Sequence, residues 1–155
     1  MLKPGNKAPP FSLSSDRGDT VALKDLKGKL VVLYFYPKDD TSGCTTEACE
    51  FRDSWSAVKA TGAVVLGVSP DGVSSHQKFR DKYRLPFPLL ADEDHVVAER
   101  YGAWGEKSMY GRKYMGILRS TFIIDRAGVI LRVFPKVKPK GHAAEVLDVL
   151  SNEGL

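Results

Sequence analysis

Two sulfur nucleophiles stand close together in this chain: Cys44 and Cys49, in the stretch PKDDTSGCTTEACEFR, and the chain has no other cysteine. The apolar run Leu30–Tyr36 precedes them, then a turn of small and charged residues. A strand that passes through a turn into a helix sets Cys44 at the helix start, where unpaired N–H groups and the helix dipole favour a thiolate. An unperturbed thiol, with a pKa of about 8.5, is only a few per cent ionised at pH 7; a pKa of about 6 would make it roughly 90% thiolate. A nearby guanidinium would contribute more than the helix end does. Thr41 can offer its hydroxyl to the sulfur or to whatever the sulfur attacks, and Pro37 fixes the turn and screens the thiol from water.

Plainer readings of the same residues exist. The two cysteines could form a permanent disulfide, but the start MLKPGNKAPPF lacks the apolar core of an export signal, so a reducing, cytoplasmic setting is expected. A metal centre would need two more ligands, and His76, His95 and His142 show no paired spacing, so no metal is expected and each histidine is read as a surface or partly buried residue. An inert core thiol does not suit the small, polar flanks of Cys44. Thr41 could simply cap the helix. Asp39 and Asp40 read as a solvated turn and not as a pair of catalytic carboxylates. A disulfide oxidoreductase acting on proteins would ordinarily carry C-x-x-C, whereas this chain has C-x-x-x-x-C. A redox-signalling module also stays open.

The elements that must position these residues follow from pattern. Phe11 and Leu13, then Val21 and Leu23, alternate with polar residues around SSDRGD, which predicts an N-terminal β-hairpin. Leu30–Tyr36 suits a central strand covered on both faces, ended by Pro37. A helix is expected over about Thr45–Thr61, with Ala48, Phe51, Trp55 and Val58 on its apolar face and Gly62 closing it. Ala63–Ser69 reads as a strand, Val73–Tyr83 as a helix, Leu89–Leu90 as a short strand, and His95–Tyr101 as a helix capped by Asp92 or Asp94. Residues 102–119 read as a long connection of the kind that carries function, with Trp104 and Tyr110 as its packing residues or, alternatively, as contacts of a substrate pocket. Ser120–Asp125 and Val129–Phe134 form a hairpin, and Gly141–Leu150 a last helix with Ala144, Val146, Leu147 and Leu150 inward. This order predicts an α/β domain with a mixed sheet and helices on both faces. No linker divides the chain, so residues 1–155 are read as one domain.

Composition supports a globular protein: 43% hydrophobic, 27% charged, net charge +4. No apolar run approaches the roughly 20 residues of a membrane span. Basic residues are scattered among acids, and even the cluster Lys136, Lys138 and Lys140 is interrupted by prolines. Neither nucleic acid nor membrane is expected as a partner.

The motif PKDDTSGC resembles the active-site loop of the peroxiredoxins, in which proline, threonine or serine, and cysteine recur at the spacing of Pro37, Thr41 and Cys44. Glu47 also matches. Cys49 resembles the resolving cysteine of the bacterioferritin-comigratory, or Q-type, subgroup. The later stretch YGAWGEKSMYGRKYMGILRSTFIID is similar to the same subgroup, and so is the opening GNKAPPFSL. The resemblance covers nearly the whole chain, without departure at the matched positions. It implies a thioredoxin-like fold and a peroxidase acting on hydrogen peroxide and organic hydroperoxides without a cofactor. By the same resemblance Cys44 becomes a sulfenic acid, Cys49 condenses with it into an internal disulfide, and thioredoxin or a similar dithiol protein reduces that bond. Arg119 then reaches the thiolate, where the residue alone could be a strand-edge arginine. Glu47 holds that arginine, where it could be an ordinary first-turn acid. A resolving thiol on the same chain implies a monomer. If both cysteines lie on one regular helix, their Cα atoms are roughly 8.6 Å apart, while a disulfide wants about 4.4–6.8 Å. The helix start is therefore expected to unwind when the bond forms.

Overall fold

The computed structural model describes residues 1–153. In chain order its elements are β1 (Ser12–Ser15), β2 (Thr20–Ala22), a 3-10 turn (Leu23–Leu26), β3 (Val31–Phe35), α1 (Ser42–Asp53), α2 (Trp55–Ala60), β4 (Val64–Ser69), α3 (Val73–Tyr83), β5 (Leu89–Ala91), α4 (Val96–Tyr101), β6 (Trp104–Met109), β7 (Arg112–Ile117), β8 (Ser120–Ile124), β9 (Ile130–Phe134) and α5 (His142–Glu153).

Strand β3 is buried at every residue, and its alternation divides the core in two. Val32, Tyr34 and Tyr36 point into a cluster with Cys44, Ala48 and Phe51 of α1, Val58, Phe79 and the inner residues of α5. Val31, Leu33 and Phe35 point the other way, against Phe11, Val97, Ala98, Tyr101 and Ile117. A strand with two covered faces needs a continuous apolar sequence, which is what Leu30–Tyr36 supplies. Seven strands form the sheet in the order β2-β1-β5-β4-β3-β8-β9. Strands β3, β4 and β5 run parallel, whereas β8 and β9 close one edge antiparallel and β1 and β2 the other. The N-terminal hairpin and the mixed sheet with helices on both faces are as expected from the sequence.

Several expectations need correction. Residues 102–119 are not an irregular connection: β6 and β7 pair as a separate two-stranded hairpin, from Trp104↔Ile117 to Met109↔Arg112. Most of its residues are exposed on both faces, so no apolar alternation marks it. Its two turn residues, Tyr110 and Gly111, both have positive φ, 53° and 78°. That is the requirement of a type I′ turn, and tyrosine does not announce one. The helix expected over 45–61 starts earlier and breaks at Ser54, whose N–H bonds to both Arg52 O and Glu50 O. In α5 the inward small residue is Ala143, while Ala144 is exposed. Asp92 caps α4, taking bonds from the N–H groups of Val97 and Ala98.

Candidate active site

Cys44 is the third residue of α1, at the C-terminal end of β3, where strand, turn and helix meet. Phe51, two turns further on, is fully buried and stacks on Tyr34 with centroids 5.2 Å apart. Burying such a ring stabilises by about 1.5–3 kcal/mol, and it fixes α1 on the sheet. The thiol is then almost completely covered, the residue being 1% exposed.

Arg119 reaches this sulfur from the link between β7 and β8. Its Nη2 donates to Cys44 Sγ at 3.2 Å and its Nη1 to Glu47 Oε1 at 2.8 Å. One guanidinium thus spans a thiol and a carboxylate that stand three residues apart on one helix face. Space for it comes from Gly43, where a Cβ would lie 3.1 Å from Arg119 Nη2 and 3.3 Å from Pro139. Burial works against the Arg119 charge, and the charges of Cys44 and Glu47 outweigh it, so that its pKa rises. Burial pushes the Glu47 carboxyl up to about 7, against the pull of Arg119. Its second oxygen, Oε2, has no partner among the described residues.

The structure therefore brings together Cys44, Glu47 and Arg119. Thr41 is the residue preceding α1 but does not cap it by its side chain; its hydroxyl donates to Lys38 O at 2.9 Å. Pro37 is half-buried at the start of the turn. Cys49 lies on the same helix, half-buried, and both thiols are free. Burial raises the Cys49 pKa, with Arg52 acting in the opposite direction.

Sequence reasoning misplaced the residues behind the turn. Asp39 is not solvated. Its carboxylate is buried and accepts from Tyr36 Oη at 2.6 Å and Ser75 Oγ at 2.8 Å, and it meets His76 Nδ1 at 2.7 Å. Its backbone N–H donates to Asp71 Oδ2 at 2.8 Å. His76 is fully buried, its other ring nitrogen lying 2.9 Å from Leu90 O. Acceptors face both ring nitrogens, an arrangement that favours the protonated ring between Asp39 and the sheet. Burial opposes that charge, but the bond to Asp39 and its charge prevail, and the pKa is raised. Asp39, Asp71 and His76 offer ligand-type atoms within 4.8 Å of one another, yet those of Asp39 and His76 are engaged within the protein, so the residues present do not form an open metal site. His142 is likewise buried, 2.7 Å from Thr121 Oγ1, and burial lowers its pKa. Only Asp40 of the aspartate pair is exposed, bonded to Lys82 and Tyr83. Trp104 stacks flat on His95 at 3.7 Å, whereas Tyr110 packs on little, being 98% exposed at the hairpin tip.

A cleft of about 360 Å³ lies elsewhere, lined by Lys7, Leu23, Lys27, Ile124 and Asp125 among others. None of the residues around Cys44 lines it.

A fold with this sheet order, and a buried thiol held by arginine at the start of a helix, defines a class. The family model described as AhpC/TSA matches residues 4–133, and the chain belongs to that family. Within it the relatives are peroxiredoxins. Peroxiredoxin Bcp of Bacillus subtilis is 52% identical over 96% of this chain and 94% of that protein. Peroxiredoxin Bcp of Escherichia coli is 46% identical over 96% of each chain. The solved structure of the Xanthomonas campestris bacterioferritin comigratory protein, for which alkyl peroxide reduction activity is described, superposes with a TM-score of 0.90 at 37% identity, covering 100% of this chain and 98% of that one. This chain is a thiol peroxidase of the Bcp, or Q-type, group of peroxiredoxins. No helix among the described residues is long and apolar enough to cross a membrane.

Proposed function

We propose that the chain, acting as one domain and as a monomer in the cytoplasm, reduces hydrogen peroxide and organic hydroperoxides through a Cys44 sulfenic acid and an internal Cys44–Cys49 disulfide. The observation that carries this reading is Arg119 Nη2 at 3.2 Å from Cys44 Sγ while Glu47 steadies the same guanidinium. In the first step the sulfur attacks one peroxide oxygen. An S–O bond forms, the O–O bond breaks, and water or an alcohol leaves. Arg119 holds sulfur and peroxide together and offsets the charge that develops on the oxygens. Thr41, exposed beside the thiol, orients the peroxide with its hydroxyl, and Pro37 closes the turn against water. Alkyl peroxide reduction in the Xanthomonas campestris relative supports organic hydroperoxides as substrates here.

In the second step Cys49 attacks the sulfenic sulfur and releases water. Both residues lie on the regular helix α1, where Cα atoms five apart are roughly 8.6 Å from each other. That exceeds the reach of a disulfide, so the first turns of α1 unwind as the bond forms. The bonds given up begin with Thr45 N to Thr41 O. Thioredoxin or a similar dithiol protein restores the two thiols.

The test is peroxide consumption coupled to a dithiol reductant. Cys44→Ser abolishes it. Cys49→Ser keeps the first turnover and loses recycling through the internal bond. Reduction of protein disulfides with no consumption of peroxide would point instead to a disulfide oxidoreductase.

A further inference from the structure

The β6–β7 hairpin, set apart from the main sheet, collects most of the large apolar side chains that the protein leaves in water. Among the described residues these are Met1, Val96, Met109, Tyr110, Tyr114 and Met115. The last four belong to the hairpin and its turn. Met109 and Met115 are each 55% exposed and Tyr110 is 98% exposed. Exposed apolar residues scattered singly need no explanation, but a cluster of them marks a binding surface. The tip gives a second sign. Tyr110 begins the turn at a φ of 53°, a conformation that glycine or asparagine adopts at less cost than tyrosine. Its exposed ring contributes little to the packing of the fold.

Pairing assigns the side chains to faces, because directly opposed residues share one side of a hairpin and successive residues alternate. Lys107, Met109, Arg112 and Tyr114 share one face; Glu106, Ser108, Lys113 and Met115 share the other. Each face carries apolar and basic groups, and Tyr110 stands at the end between them. Three cations face one acid, Glu106, which lies 3.7 Å from Lys113 in an exposed pair. Such a pair is worth little in water. A protein partner with a flat surface would cover one face and leave the methionine of the other in water. A lipid interface surrounds an inserted tip on every side. Apolar groups enter the acyl boundary there, tyrosine sits at headgroup level, and ammonium and guanidinium groups stay among the headgroups. Along the sequence the same residues gave no sign of a lipid partner, since antiparallel pairing is what gathers them.

We infer that the β6–β7 hairpin is a docking site for an anionic lipid surface, entering it with Met109 and Tyr110 and held to its headgroups by Arg112 and Lys113. The contact is peripheral and reversible. Each basic group near an anionic leaflet is worth about a five-fold gain in partitioning, and salt weakens that part of the binding. Each strand has six residues, so the hairpin is about 20 Å long. At its base β7 leads through Leu118 to Arg119, which holds Cys44. The tip therefore enters the lipid while the thiol site stays on the protein side. The inference is independent of the peroxide chemistry: it concerns where the thiol works, not how it reacts.

The experiment is flotation of the full chain with vesicles of phosphatidylcholine alone or mixed with phosphatidylglycerol, at low salt. The wild type is expected to float with the mixed vesicles and much less with the neutral ones. Met109→Ser combined with Tyr110→Ser is expected to weaken binding to mixed vesicles by more than about 10-fold. Arg112→Gln combined with Lys113→Gln is expected to weaken it by about 25-fold, five-fold for each charge. Val96→Ser, at an exposed apolar residue of α4, is expected to change nothing. All five positions are exposed, and thermal unfolding checks that each variant is folded. Tyr110→Trp is expected to fluoresce with strong quenching by lipids brominated in their acyl chains, beyond that of the wild type. No binding to mixed vesicles, equal binding to neutral ones, or binding that survives the Met109 and Tyr110 substitutions would overturn the inference. So would a tryptophan at position 110 that brominated lipid leaves unquenched. A dimer seen by sedimentation without lipid, and dissolved by the same double substitution, would assign the surface to a second copy of the chain and overturn it as well.

Discussion

Two buried charge clusters flank the turn between β3 and α1, and they are built to opposite ends. On one side His76, Asp39, Tyr36, Ser75 and Asp71 bond to one another. On the other, Arg119 joins Cys44 to Glu47, and Glu47 keeps an oxygen without a partner among the described residues. Both place ions where solvation is poor, which is costly unless partners compensate. The first is closed and anchors the turn to α3 and β5. The second is left able to accept something more. A saturated cluster holds geometry, whereas an unsaturated one can exchange protons and bonds.

The contrast is sharpest under substitution. Cys44→Ser should lower the rate of peroxide consumption by at least about 1,000-fold, because the nucleophile itself is gone; thermal unfolding of the variant should shift little. His76→Asn should do the reverse. Leaving Asp39 buried without its cation costs about 3–5 kcal/mol of stability, read from denaturant unfolding, while the fraction that stays folded keeps most of its peroxide reactivity. A large loss of reactivity in folded His76→Asn would merge the two clusters into one functional unit.

Arg119→Lys should slow oxidation of Cys44 by about 100-fold, since lysine cannot span the sulfur and Glu47 together. The rate of alkylation of Cys44 at pH 7 should fall in parallel. If the alkylation rate is unchanged, the guanidinium acts on the peroxide alone.

Smaller effects separate the clusters by pH. The raised His76 pKa contributes stability that is fully present below about pH 6.5, the unfolded value, and is lost as pH rises through the folded value above it. Glu47 also binds its proton more tightly when folded, up to about 7 from 4.5, so its own contribution to stability falls as pH rises across that window. Glu47→Gln should remove the second dependence and leave the first, and should change peroxide reactivity only a few-fold near neutrality. Unfolding free energies at a series of pH values for both variants give the two slopes separately.

These clusters were not equally legible in the sequence. The Cys44 side announces itself: Pro37, Thr41, Cys44 and Glu47 fall in one short stretch, and Arg119 precedes a strongly apolar strand. The central strand was legible for the same reason, since burial on both faces leaves an unbroken apolar run. Asp39 and His76 are 37 positions apart, and each alone reads as an ordinary polar residue of a turn or a helix. Only the parallel crossover from β3 to β4 and on to α3 brings them together. The β6–β7 hairpin was invisible because its faces are mostly wet and its turn begins with tyrosine.

The claim on which the rest depends is that one equivalent of peroxide converts the two thiols of α1 into a single internal bond. Intact mass after that addition tests it. A loss of two hydrogens per chain, without dimer, and with Cys44 and Cys49 recovered in one linked peptide, is the predicted result. An unchanged mass, a disulfide-linked dimer, or oxygen added to a residue other than Cys44 would contradict it.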